Sequence, residues 1–369
     1  MSAQGSVAAI AAVLERFSPV WVEPQVLQPV RFYLEWLGED LRSRAFLTVD
    51  DAGHDVCLRP DMTTPACRAA LAMTPTPAAV AYVGQVFRRQ SFGSSRETEF
   101  AQVGLEHLGP VSEAALLAAA VEAVRACGVE PMLRLGHTGV FDAFLADLGL
   151  HPAWTQRLKA QAQRGAPLVA EAAAAPENAV GQALAGLEPE QAGAALGALY
   201  ETAGITPVGG RPMAMVAARL KEKAALRAAP RPSEADLAFL QAALAVDAAA
   251  DAALGALSAL VGKRPKGQRS RSEAALGAVE ALWRETRALI AAPQARFAPG
   301  FGRALSFYDG FLFDLEAPAL GERASLGGGG RYDGLIKALA KDMGVTGPET
   351  ACGFALRPQR IMQAKETGA

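Results

Sequence analysis

The sequence has no C-x-x-C pair: its four cysteines, Cys57, Cys67, Cys127 and Cys352, stand far apart in a chain of 369 residues. That spacing excludes a zinc ribbon and a dense disulfide framework, and it fits a reducing, cytoplasmic setting. Histidine is as scarce, four residues with no H-E-x-x-H, so neither a metal centre nor a cofactor is expected. No run of about 18 uncharged apolar residues occurs, which excludes membrane-spanning helices. The apolar N-terminus lacks a basic flank and is not read as a signal peptide. Positive charge is not in excess either. With 36 Lys and Arg against 38 Asp and Glu, the net charge of −2 gives no electrostatic footprint for nucleic acid or an anionic membrane.

What is present is a globular composition, 51% hydrophobic, with room for two or three domains at about 150 residues each. Val7–Phe17 reads as an amphipathic helix, and Pro19, Pro24 and Pro29 keep the next stretch extended. Phe46–Val49 and Asp55–Leu58 predict a hairpin around the Asp50–Gly53 turn. A short helix over Thr63–Met73 precedes two long strands, Val80–Arg88 and Glu99–Leu108; Ser112 then caps a helix to Cys127. From His151 to about Pro293 Ala, Leu, Glu, Gln and Arg dominate, predicting a helical insertion over 151–293. Strands return at Ala304–Tyr308, Phe311–Glu316 and Ala351–Leu356, so 1–150 and 294–369 are expected to form one core. The expected fold class is α+β, a sheet flanked by helices and interrupted by the insertion.

Four polar stretches interrupt these strand-like segments. Leu58-Arg-Pro-Asp61-Met-Thr63 sets an acid and a hydroxyl where a strand gives way to a helix; a plain helix cap explains Asp61 equally well. Gln102, Gly104 and Glu106 share one face of a strand, and Val86 and Arg88 share one on the strand before it. If those strands pair, one face offers an arginine, an amide and a carboxylate; a solvated sheet face is the alternative. Gly302–Gly310 and Gly327–Leu335 complete the set, and neither is a phosphate-binding P-loop or a G-x-G-x-x-G fingerprint. Alone, the second of them reads as a surface turn.

In this order the four stretches resemble the core of class II aminoacyl-tRNA synthetases, specifically the histidyl-tRNA synthetase branch. Pro24 matches the motif 1 proline, Phe87–Gly109 is similar to motif 2, Gly353–Arg360 to motif 3, and Tyr308 with Gly329–Leu335 to the two histidine motifs. The resemblance implies an antiparallel sheet and a pocket for free histidine. Asp61, Thr63 and Gln102 would hold the α-ammonium, and Glu106 the imidazole. Tyr308 and Tyr332 would close around the ring, with Arg303 beside the carboxylate. A zwitterion carrying a ring that both donates and accepts needs acids, an amide and phenols at fixed points.

Departures fall on the nucleotide side. Gln90 and Gln359 stand where that family has carboxylates, and Arg357 fills a glycine position against which a flat base would lie. Arg88, Arg96 and Arg360 remain as vestigial anion ligands. Only nine residues follow Arg360, where the family continues into a tRNA-reading domain of about 100 residues, so no tRNA is expected as a partner. A kept amino-acid pocket with a damaged nucleotide pocket resembles the regulatory subunits of ATP phosphoribosyltransferase. The implied role is non-catalytic: to bind histidine as a feedback signal and to organise the short-form catalytic subunit at the first step of histidine biosynthesis. The core is then expected to form a dimer within a hetero-oligomer. The alternative is a stand-alone ligase that activates an amino acid.

Overall fold

The computed structural model describes residues 3–34, 44–91, 93–94, 96–163, 167–168, 179–205, 213–290, 294–302, 307–322 and 324–368. Twelve strands form two sheets among them. They are β1 (Val20–Trp21), β2 (Leu27–Pro29), β3 (Phe46–Val49), β4 (Asp55–Leu58), β5 (Ala79–Phe87) and β6 (Glu99–Leu108), followed by β7 (Met132–His137), β8 (Ala248–Ala249), β9 (Ala295–Phe297), β10 (Phe311–Glu316), β11 (Ser325–Arg331) and β12 (Ala351–Leu356). The larger sheet runs β1-β5-β6-β12-β11-β10-β7-β9-β8, and β2-β4-β3 makes a small second one. Pairing is antiparallel except for β1 with β5 and β7 with β9, so the sheet is mixed towards its ends.

Local chemistry accounts for most of these elements. The β3–β4 hairpin turns where Asp50 Oδ1 accepts from the amides of Ala52 and His54, and Gly53 takes φ +83°. Ser112 caps the helix Glu113–Ala126 through the Ala115 amide at 3.3 Å. This helix packs with helices Ala3–Leu14 and Ser270–Thr286, while helix Pro358–Gly368 lies on β6 and β11. Helix Thr63–Leu71 packs on β5, β6 and β12 and on helix Asp333–Asp342. Those last contacts build a core that includes Met62, Cys67, Tyr82, Phe307, Tyr332 and Leu335.

Three sequence expectations change. The glycine run is no surface turn: Gly327–Gly330 lie inside β11, between β10 and β12, where a side chain on Gly328 or Gly330 would collide with the β10 backbone. Of the strand expected over Ala304–Tyr308, residues 304–306 lie outside the described residues, and Phe307 and Tyr308 are in a turn, not a strand. Finally, β7 and the helix Thr138–Leu148 were not anticipated. Arg134 hides β7 from a hydrophobic pattern. It is a buried cation on a central strand, held by Glu316 of β10 at 2.7 Å and Asp247 at 2.6 Å.

By contact the chain divides into two compact units, 1–144 with 243–369, and 145–242. The second is narrower than the 151–293 read from composition. Residues 243–290 contain helices Ala250–Gly262 and Ser270–Thr286, which pack on β9 and on helix Glu113–Ala126, so they belong to the core unit. Within the second unit, Trp154 packs with Leu226 and Ala229, and Leu184, Ala192, Leu196 and Ala217 form a separate small cluster.

Candidate functional site: a buried acid behind a polar cavity

The period-2 alternation of β6 puts Gln102, Gly104 and Glu106 on one face, as the sequence predicts. Register then decides their neighbours. Tyr82 of β5 stands opposite Gly104, and Gly353 of β12 stands opposite Glu106. Both glycines make space. A Cβ on Gly353 would fall on the Glu106 carboxylate, and one on Gly104 would strike the Tyr82 hydroxyl.

Glu106 is 0% exposed. Tyr82 donates to its Oε1 at 2.8 Å, Tyr332 donates to its Oε2, and the Thr63 hydroxyl adds a third bond. Burial nevertheless dominates, raising its pKa from 4.5 to about 7, with the charge of nearby Asp61 adding to the rise. The three hydroxyls oppose that rise without cancelling it. Tyr332 reaches Glu106 from the end of β11, and its hydroxyl lies 3.8 Å from the Cys67 thiol. Tyr82 is the member of this cluster absent from the sequence reading; the register of β5 on β6, not a motif, brings it in.

A cavity of about 330 Å³ lies in front of this cluster, and Asp61, Thr63, Gln102 and Tyr308 are among the residues that line it. Glu106 and Tyr332 do not line it; they are sealed behind. Asp61 is 6% exposed, and its Oδ1 accepts from the Thr64 amide at 2.9 Å, so the helix cap foreseen as the plain alternative is real. The other oxygen is not explained by capping. Asp61 Oδ2 and Gln102 Oε1 are both buried acceptors with no hydrogen-bond partner among the described residues. Burial holds the Asp61 pKa above its ordinary value, against hydrogen bonds from Thr64 and the Arg88 charge.

Arg88, Arg357, Asp314 and Ser325 also line the cavity, Arg88 beside Asp61 through its bond to the Pro60 carbonyl at 2.8 Å. Two guanidinium groups cover the Phe100 ring, Arg357 at 4.1 Å and Arg88 at 5.2 Å from its centroid. Burial, helped by the like charges of Arg88 and Arg360, lowers the Arg357 pKa to about 10. Asp314, also unforeseen, accepts from Ser325 at 2.6 Å, and burial raises its pKa to about 7. Arg360 donates to the Ser325 carbonyl at 3.3 Å, whereas Arg96 is exposed in the loop between β5 and β6. Arg303 lies outside the described residues. The geometry thus gathers Asp61, Thr63, Arg88, Gln102 and Tyr308 around one cavity, with Glu106 and Tyr332 behind it; Arg360 does not line it and bonds to Ser325, which does. Among the described residues no group of acids, cysteines and histidines is arranged to hold a metal.

A family model for histidyl-tRNA synthetase matches residues 20–208 and 211–361. The ATP phosphoribosyltransferase regulatory subunit of Brucella anthropi is 34% identical, covering 98% of this chain and 97% of its own. That of Sinorhizobium medicae is 36% identical over 96% of this chain and 95% of its own. Among solved structures, a protein from Bacillus halodurans described as an ATP phosphoribosyltransferase regulatory subunit/histidyl-tRNA synthetase superposes with a TM-score of 0.64 at 18% identity, covering 98% of this chain and 78% of its own. Histidyl-tRNA synthetase from Nostoc gives 0.57 at 16% identity, covering 99% of this chain and 72% of its own.

Proposed function

Because the chain belongs to the histidyl-tRNA synthetase family, and within it to the ATP phosphoribosyltransferase regulatory subunits, we propose that its cavity binds free histidine as a feedback signal. Occupancy is then passed to a short-form catalytic subunit, which this chain also organises into an active assembly. The observation that carries the reading is the pair of orphaned acceptors, Asp61 Oδ2 and Gln102 Oε1. A buried acceptor without a donor is costly, by about 1–3 kcal/mol, and an α-ammonium supplies three donors at once. Glu106 is the proposed acceptor for an imidazole N–H, a contact that requires the lining in front of it to open, since its carboxylate is sealed and bonded to Tyr82 and Tyr332. A site of this kind discriminates against analogues that lack that donor, since its own polar groups would be left unpaired.

The non-catalytic part of the proposal rests on Phe100. An aromatic ring is a seat for a flat base, but Arg357 and Arg88, which line the cavity, already cover this one. That arrangement disfavours a ligase using a nucleotide. Self-association is supported by a group of exposed apolar side chains on β1, β2 and β3, among them Trp21, Leu27, Leu47 and Val49, the last two 66% and 62% exposed.

Feedback requires that histidine favour one of two states of the assembly, with a coupling of about 1–3 kcal/mol. The test is reconstitution with a short-form catalytic phosphoribosyltransferase subunit. Product formation should depend on this chain and fall when histidine is added. Activity indifferent to the chain would refute the subunit role, and activity indifferent to histidine would refute the feedback role.

A further inference from the structure

Helix Asp333–Asp342 begins directly after Tyr332, and the residue at its N-cap position is Tyr332 itself, which makes no side-chain cap. Its first amides do not go without an acceptor. Asp309, 24 residues earlier in sequence, accepts from the Asp333 amide through Oδ1 at 3.1 Å and from the Gly334 amide through Oδ2 at 2.5 Å. The Asp309 amide in turn donates to the Arg331 carbonyl at 3.1 Å. A cap is ordinarily local; this one comes from the residue two before β10 and carries the β10–β11 pairing past the strand ends to the helix.

The capping and capped segments each carry a tyrosine of the site. Tyr308 precedes the capping residue, and Tyr332 precedes the capped helix. Phe307 packs between them, its ring centroid 4.5 Å from that of Tyr308 and 6.2 Å, edge-on, from that of Tyr332. From this geometry we infer that Asp309 is a positioning residue, a clamp that holds Tyr308 at the cavity and Tyr332 behind it as one unit. Asp309 is exposed and does not line the cavity, so it acts through the two tyrosines and not by touching a ligand. The clamp stands on the structure alone; its consequence for ligand affinity rests on the histidine reading.

Amide hydrogen exchange on the full chain tests it. In Asp309→Ala the peptides spanning 307–310 and 333–336 should both exchange about tenfold faster, and Asp309→Asn, which keeps one of the two acceptors, should give an intermediate rate in both. Ser233→Ala is the control, removing the local Ser233 cap on the Asp236 amide in the second unit, and should leave both segments unchanged. Faster exchange in 333–336 alone, or in neither segment, overturns the clamp. Should Asp309→Ala fail to fold, the Asn variant against wild type decides by whether the two segments change together or separately. By calorimetry, Asp309→Ala should bind histidine about tenfold more weakly while Ser233→Ala matches wild type. A wild-type protein that binds no histidine would overturn the ligand reading, and the exchange result would still decide the clamp.

Discussion

Replacing Glu106 with Gln should change the pH dependence of stability in a direction fixed by burial. The native state holds the Glu106 proton to about pH 7, whereas an unfolded glutamate releases it near 4.5. The stabilisation that this proton gives is complete below about 4.5 and is lost progressively as the pH rises through 7. The interval corresponds to about 3 kcal/mol, a sizeable part of the 5–15 kcal/mol typical of a domain. Glutamine mimics the protonated acid: it keeps an acceptor for Tyr82 and carries no charge. The expectation is therefore unusual for the loss of a buried polar network member. At pH 5 the variant and wild type should have similar stability, and at pH 8 the variant should be more stable by up to about 3 kcal/mol. Urea unfolding at half-unit steps from pH 4.5 to 8 measures this. The difference between the two proteins is what matters, because Asp314, raised to about 7, contributes the same slope to both. A stability gap that stays constant across the range would refute a Glu106 that titrates near neutrality. The same variant should lose histidine binding, separating the cost of the acid from its use.

Other expectations follow from the same contacts. Arg357→Gly should uncover the Phe100 ring and give adenine nucleotides measurable affinity in fluorescence or calorimetric titration; nucleotide binding unchanged from wild type would sink the idea that this arginine closes the seat. Gly353→Ala should lose about 2 kcal/mol or more of stability in urea and bind histidine poorly, since its methyl group would meet the Glu106 carboxylate; tolerance would mean that the register of β12 on β6 is wrong. Arg134→Met should cost about 3–5 kcal/mol in urea unfolding by leaving the buried Glu316 without its cation, while Asp247 keeps Arg296; a cost under about 1 kcal/mol would refute the pairing. Leu47→Lys with Val49→Lys should shift sedimentation towards the monomer with no loss of helical circular dichroism.

Short runs of apolar and β-branched residues beside a clear turn are a reliable guide to strands, even for the largely exposed β3. Phe46–Val49, Asp55–Leu58 and Glu99–Leu108 lie where the pattern places them. It failed where the sheet uses residues that carry no strand signal. The glycines of β11 are disfavoured in an isolated strand and are required here because backbone from both neighbours approaches closely. Of the cavity, Gln102 was legible because parity fixes its strand face, and Asp61 and Thr63 because they stand where β4 gives way to a helix. Tyr82 and Asp314 were not, because their positions depend on which strands pair and at what register. Arg357 was legible as an intruder from its place after β12, but only coordinates show that it lies on Phe100.

The order of strands in the larger sheet also bears on how the site comes into being. Strand β6 ends at Leu108, yet its partner β12 begins only at Ala351, and Tyr332 must arrive as well before the Glu106 carboxylate has its donors. A chain emerging from the ribosome would thus carry Glu106 on an incompletely paired strand through the synthesis of more than two hundred further residues. Pairing over such separations is slow, and an unpaired apolar strand is open to misassociation while it waits. Competence to bind a ligand would be among the last properties this polypeptide acquires, and fragments ending before Ala351 should lack it however well their helices form.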